Sequence, residues 1–68
     1  MNKDSVKLYL KEMQEYVDHG NYGMARATEN ALYFDLVYAI SCGECDDPEG
    51  VCSAALESTD IEFDRGCG

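Results

Sequence analysis

The chain has 68 residues, of which 14 are acidic and 5 basic, giving a formal net charge of −9. That length holds one small domain, residues 1–68, whose core is marginal unless a metal, disulfides or a partner supports it. The charge argues against direct binding to DNA or RNA, because such affinity comes largely from Lys and Arg neutralising phosphates. The same charge favours partners with positive surfaces. The opening residues, Met1-Asn2-Lys3-Asp4-Ser5, lack the apolar stretch of a signal peptide, and no apolar run has the length of a membrane span. A cytoplasmic location with reduced thiols is therefore predicted.

Residues 4–19 read as a first helix, with Val6, Leu10, Met13 and Val17 forming one apolar stripe. Asn2, Asp4 or Ser5 is a candidate cap at its start. Gly20 stands where a helix ends in a left-handed residue. Two glycines and an Asn within His19-Gly20-Asn21-Tyr22-Gly23 mark a turn, and so short a link implies an antiparallel helical hairpin. Gly20-Asn21-Tyr22 followed by Ala25 resembles the turn between the two helices of a tetratricopeptide repeat, and over this turn the resemblance again implies a hairpin.

The second helix is predicted over residues 22–42, with Ala25, Thr28, Leu32, Leu36 and Ala39 on its inner stripe and Met24, Ala31 and Tyr38 beside it. Arg26, Glu29, Asn30 and Asp35 mark its wet side, with Asp35 in a narrow solvent slit. Its C-terminal half, residues 31–40, is apolar or aromatic at every position except Asp35. A helix so apolar all round is expected to be buried on several sides, with the rest of the chain wrapped around it.

Asp47-Pro48-Glu49 is a helix start: a capping Asp, Pro at the first helical position and an acidic first turn. A short third helix is predicted over residues 48–58, with Val51, Cys52, Ala55 and Leu56 on one side. Ile61 and Phe63 are expected to tuck onto the core from an irregular C-terminal tail. The predicted fold class is all-α: an antiparallel helical hairpin, a short third helix and that tail.

Cys42, Cys45, Cys52 and Cys67 are spaced C-x2-C-x6-C-x14-C. Three readings stay open. In the first, the cysteines are small buried hydrophobes packed between helices, or form an adventitious disulfide. In the second, all four bind a structural zinc ion, which prefers four thiolate or imidazole ligands; His19 is a substitute for Cys67 in that set. In the third, Cys42-Gly43-Glu44-Cys45 resembles a thiol oxidoreductase dithiol. It follows a helix C-terminus and is flanked by Glu44, Asp46 and Asp47, all of which disfavour a thiolate.

The carboxylates cluster. Glu12, Glu15 and Asp18 lie on the first helix, Asp46, Asp47 and Glu49 join Glu44 around the cysteine turn, and Glu57, Asp60, Glu62 and Asp64 line the C-terminal segment. They are read either as a solvated face that keeps the protein soluble or as a surface that imitates a row of phosphates. Asp46, Asp47 and Glu49 lack the spacing of a calcium loop. Tyr22, in the turn, is expected to be an exposed interface anchor.

One His, no Gly-rich phosphate loop and no recognisable nucleophile–base spacing argue against an enzyme. In size, acidity and helical build the chain resembles the small proteins with which phages and mobile elements block host machinery, such as anti-CRISPR and anti-restriction proteins. That resemblance implies a non-enzymatic inhibitor without a cofactor, which occludes a Lys/Arg-rich surface of a nucleic-acid-handling protein. The alternative is a zinc-stapled adaptor or regulatory subunit, and the third reading is a thiol redox protein. A second copy of the chain is a further candidate partner, because so small a hairpin leaves apolar surface to be completed.

Overall fold

The computed structural model describes residues 1–64. Helix α1 spans Lys3–Asp18, α2 spans Tyr22–Ser41, α3 spans Pro48–Ala55, and a 3-10 helix follows over Leu56–Asp60. The all-α class and the hairpin of α1 and α2 are as predicted. Each α-helix starts on a side-chain cap. Asn2 accepts from the Ser5 backbone N–H at 2.9 Å, Asn21 from Met24 at 3.3 Å and Asp47 from Gly50 at 3.4 Å.

Both long helices end in the same way. Past α1, the Gly20 N–H donates to Val17 O at 3.0 Å and the Asn21 N–H to Tyr16 O at 2.8 Å. Past α2, the Gly43 N–H donates to Ile40 O at 3.1 Å and the Glu44 N–H to Ala39 O at 2.8 Å. These are paired Schellman bonds, and they require a left-handed residue just beyond the cap. Gly20 (φ 73°) and Gly43 (φ 71°) supply it without a Cβ penalty.

The three helices meet at Val6, Leu32, Leu36, Val51 and Ala55. Met13, Ala25 and Ala39 are also buried, whereas Leu10, Val17 and Thr28 are only half-buried. α1 packs against both α2 and α3, while α2 and α3 touch less. The middle helix is therefore α1, and the expectation that the chain wraps around α2 is corrected. So is the expected burial of residues 31–40: Phe34 is 72% exposed, Val37 67% and Tyr38 61%. The reason is a shortage of elements. One flank of α2 meets α1, and among the described residues no further element covers the other.

Two further expectations change. Glu29, assigned to the wet side, is buried, and Asp35 is half-buried. Leu56 is exposed and Ser58 is fully buried, because Val51, Ala55 and Ser58 are spaced i, i+4, i+7 on one side of the helical run and Leu56 falls about 140° away from Val51. The buried Ser58 hydroxyl lies 2.5 Å from the Tyr33 hydroxyl, which also donates to Ala55 O at 3.1 Å. Tyr33 thus ties the end of α3 to α2. Ile61 and Phe63 are half-buried, and the Phe63 ring sits 6.1 Å from that of Tyr22. Among the described residues, no buried side-chain N or O lacks a hydrogen-bond partner, and no helix is long and apolar enough to cross a membrane.

Gly43→Ala is expected to lower stability by about 1–2 kcal/mol through left-handed strain, and Tyr33→Phe by about 1 kcal/mol through the lost hydroxyl. Urea unfolding should show both as lower midpoints with an unchanged slope.

Candidate partner-binding surface

Every carboxylate assigned to partner binding from the sequence is on the surface. Glu12, Glu15 and Asp18 lie on the part of α1 that faces away from Val6 and Met13, and all three are exposed. The Gln14 amide donates to Asp18 at 2.9 Å. Their position follows from helical periodicity, because the apolar residues of α1 take the opposite side.

Asp46, Asp47 and Glu49 are exposed in and after the loop that joins α2 to α3. Two backbone bonds dock that loop on the start of α1: Met1 N donates to Glu44 O at 2.6 Å, and the Asp46 N–H donates to Met1 O at 2.9 Å. Asp47 adopts a left-handed conformation (φ 48°) while capping α3. Its carboxylate folds over Gly50, where a Cβ would fall 2.2 Å from Asp47 Oδ2. Lys3 Nζ approaches the same oxygen at 3.9 Å, with both side chains well exposed. Solvent screens such a pair strongly, so the local field stays negative.

Glu57, Asp60, Glu62 and Asp64 are exposed along the 3-10 helix and the tail. The Tyr22–Phe63 ring contact carries the tail back to the hairpin turn, near the end of α1 that bears Asp18. The contacts of Met1 and Lys3 bring the Asp46–Asp47 loop to the other end of α1. The molecule measures 35 × 22 × 14 Å, and its exposed carboxylates are spread along it on α1, the α2–α3 loop and the C-terminal segment. Tyr22 is exposed as predicted, with its ring steadied by Phe63.

The three described cysteines do not assemble into a metal-holding group. Cys42 is exposed, Cys45 and Cys52 are half-buried, and all three are free. Cys45 and Cys52 pack against the core cluster. Among the described residues no three His, Cys, Asp or Glu side chains are grouped to hold a metal ion, so Cys42, Cys45 and Cys52 are not brought together as zinc ligands. Cys67, the fourth member of that set, lies outside the described residues. His19 caps α1, with its ring Nδ1 2.7 Å from Glu15 O. Cys42 is the C-cap of α2, and Gly43 makes the Schellman turn. The dithiol motif therefore lies at the negative end of a helix dipole, which opposes thiolate formation.

Asp35 has a structural partner that the sequence reading missed: the Tyr9 hydroxyl on α1 donates to its carboxylate. The bond to Asp35 is the main cause that raises the Tyr9 pKa above the ordinary 10.0; burial and the charges of Asp35 and Glu12 add to it. The two residues lie at similar distances from the Gly20-Asn21 turn in an antiparallel hairpin, and that symmetry was the available signal.

No protein-family model, curated protein or solved structure matches the chain.

A raised folded-state pKa for Tyr9 means that its bond stabilises the fold fully below about pH 10 and is lost as pH climbs through the folded value. Wild type is therefore expected to be more stable than Tyr9→Phe at neutral pH. The gap between their urea midpoints should narrow as pH rises above 10.0.

Proposed function

We propose that the protein is a non-enzymatic inhibitor that binds a Lys/Arg-lined groove and keeps nucleic acid out of it. The observation that supports this reading is the exposure of the ten carboxylates assigned to partner binding and of Tyr22 on a capped helical scaffold. Glu12, Glu15 and Asp18 rise about 4.5 Å per step along α1, the same order as the ~3.4 Å rise per phosphate of a DNA strand. Fixed carboxylates at such spacing offer a basic groove the charge pattern it is built to hold. They also speed docking, because opposite fields steer encounter. Tyr22 adds a rigid aromatic contact of the kind that anchors interfaces.

The target in this reading is a nucleic-acid-handling complex in a cytoplasm, as for the anti-CRISPR and anti-restriction inhibitors that the chain resembles in class. Neither the zinc-stapled adaptor nor the thiol redox reading gains support from cysteines that are dispersed and next to a helix C-terminus.

The test is affinity capture of the partner followed by competition. Excess duplex DNA or heparin is expected to release the partner, and affinity should fall steeply as salt rises above about 0.15 M. Reversing Asp60, Glu62 and Asp64 to Lys should weaken capture at least about tenfold, because it replaces attraction with repulsion. Capture that resists both salt and polyanion would contradict the proposal.

A further inference from the structure

α2 carries a second seam that the monomer does not use. Met24, Ala27, Ala31, Phe34, Tyr38 and Ser41 are spaced 3-4-3-4-3, the spacing of a coiled-coil contact line. All six are exposed, Phe34 at 72% and Tyr38 at 61%. The buried residues Ala25, Glu29, Leu32, Leu36 and Ala39 face α1 from another side of the same helix. The charged residues of α2 are Arg26, Glu29 and Asp35, and none of them falls on the outer seam. On a chain with a net charge of −9, that uncharged line is conspicuous.

We infer that this seam pairs with the same seam of a second copy, with the two α2 helices antiparallel and the two-fold axis between Leu32 and Tyr33. The order of residue sizes carries the argument. About that axis Ala31 meets the partner's Phe34, Ala27 meets the partner's Tyr38, and Met24 meets the partner's Ser41. Each large side chain faces a small one, in both directions. An isologous interface requires this self-complementarity, and a parallel pairing would set Phe34 against Phe34 and alanine against alanine.

Charge does not bar the same occupant. A surface of carboxylates repels a second copy, and the outer seam lets two such chains approach without setting carboxylate against carboxylate. The seam also leaves little polar debt. The Ser41 hydroxyl already donates to Tyr38 O at 2.7 Å within its own helix. Phe34, Tyr38 and Met24 on the seam, with Val37 beside it, together expose on the order of 500 Å² per copy, so their full burial in both copies would give about the ~1,000 Å² total of a specific interface. The pairing is independent of the inhibitory reading, and its salt response is opposite: screening reduces repulsion between two acidic chains, so salt should tighten it.

Sedimentation equilibrium with the full chain tests it. At roughly 50 μM the expected mass is twice that of the 7.6 kDa chain, moving toward the single-chain mass on dilution. A single-chain mass at that concentration in both low and high salt would overturn the pairing. Ala31→Glu buries a charge in the seam and is expected to raise the dissociation constant at least about 100-fold while far-UV circular dichroism stays helical. Leu8→Glu, on the exposed side of α1 away from the seam, should leave the dimer intact. A dimer that survives Ala31→Glu, or is lost in Leu8→Glu, would place the interface elsewhere. Register is tested by mixing. Ala27→Lys and Tyr38→Glu chains, each monomeric alone, should associate with one another, because position 27 faces the partner's position 38. A mixture that stays monomeric overturns the antiparallel register.

Discussion

The fold depends on one junction, where Val6 of α1, Leu32 and Leu36 of α2, and Val51 and Ala55 of α3 come together. With 68 residues there is material for one such junction and no more. Everything else secures the approach to it. The Schellman turns at Gly20 and Gly43 end the long helices sharply enough for the chain to double back. Met1 holds the loop between α2 and α3 at the start of α1. Tyr33 fixes the 3-10 helix through Ser58 and the Ala55 carbonyl, and Tyr9 latches the hairpin through Asp35.

The same scarcity of elements shapes the surface. Because α1 is the middle helix, α2 keeps an unopposed flank, and the exposed line from Met24 to Ser41 follows from that topology. Because the core uses few residues, most of the charge is at the periphery. A neutral flank on α2 and an acidic periphery divide the surface of the molecule.

Much of the fold was legible in the sequence. Gly20-Asn21 marked the hairpin and Asp47-Pro48 the third helix, because turn and cap residues act locally. The inner stripe of α2 was also legible at Ala25, Leu32, Leu36 and Ala39. The outer seam was not, because in a helix apolar on two sides periodicity does not say which side is covered; that depends on how many other elements exist. Glu29 and Leu56 were misplaced for related reasons. Glu29 holds the place between Ala25 and Leu32 in the buried stripe, so its spacing and not its polarity was the guide, and Leu56 lies off the line of Val51, Ala55 and Ser58 that faces the core. For the candidate surface, exposure of the carboxylates was legible from composition and pattern. The return of the C-terminal segment to the hairpin turn and the docking of the Asp46–Asp47 loop on α1 were not, because they depend on the Tyr22–Phe63 contact and on the bonds of Met1.

The central claim is that carboxylates make the contact with the partner. Carbodiimide labelling of carboxyl groups, read residue by residue by mass spectrometry with and without the captured partner, tests it most directly. The expected result is loss of reactivity at Glu12, Glu15 and Asp18, at Asp46, Asp47 and Glu49, and at Glu57, Asp60, Glu62 and Asp64 on complex formation. Unchanged reactivity at all of these positions in a partner-saturated sample would contradict it, and would make the acidic surface a solubilising coat.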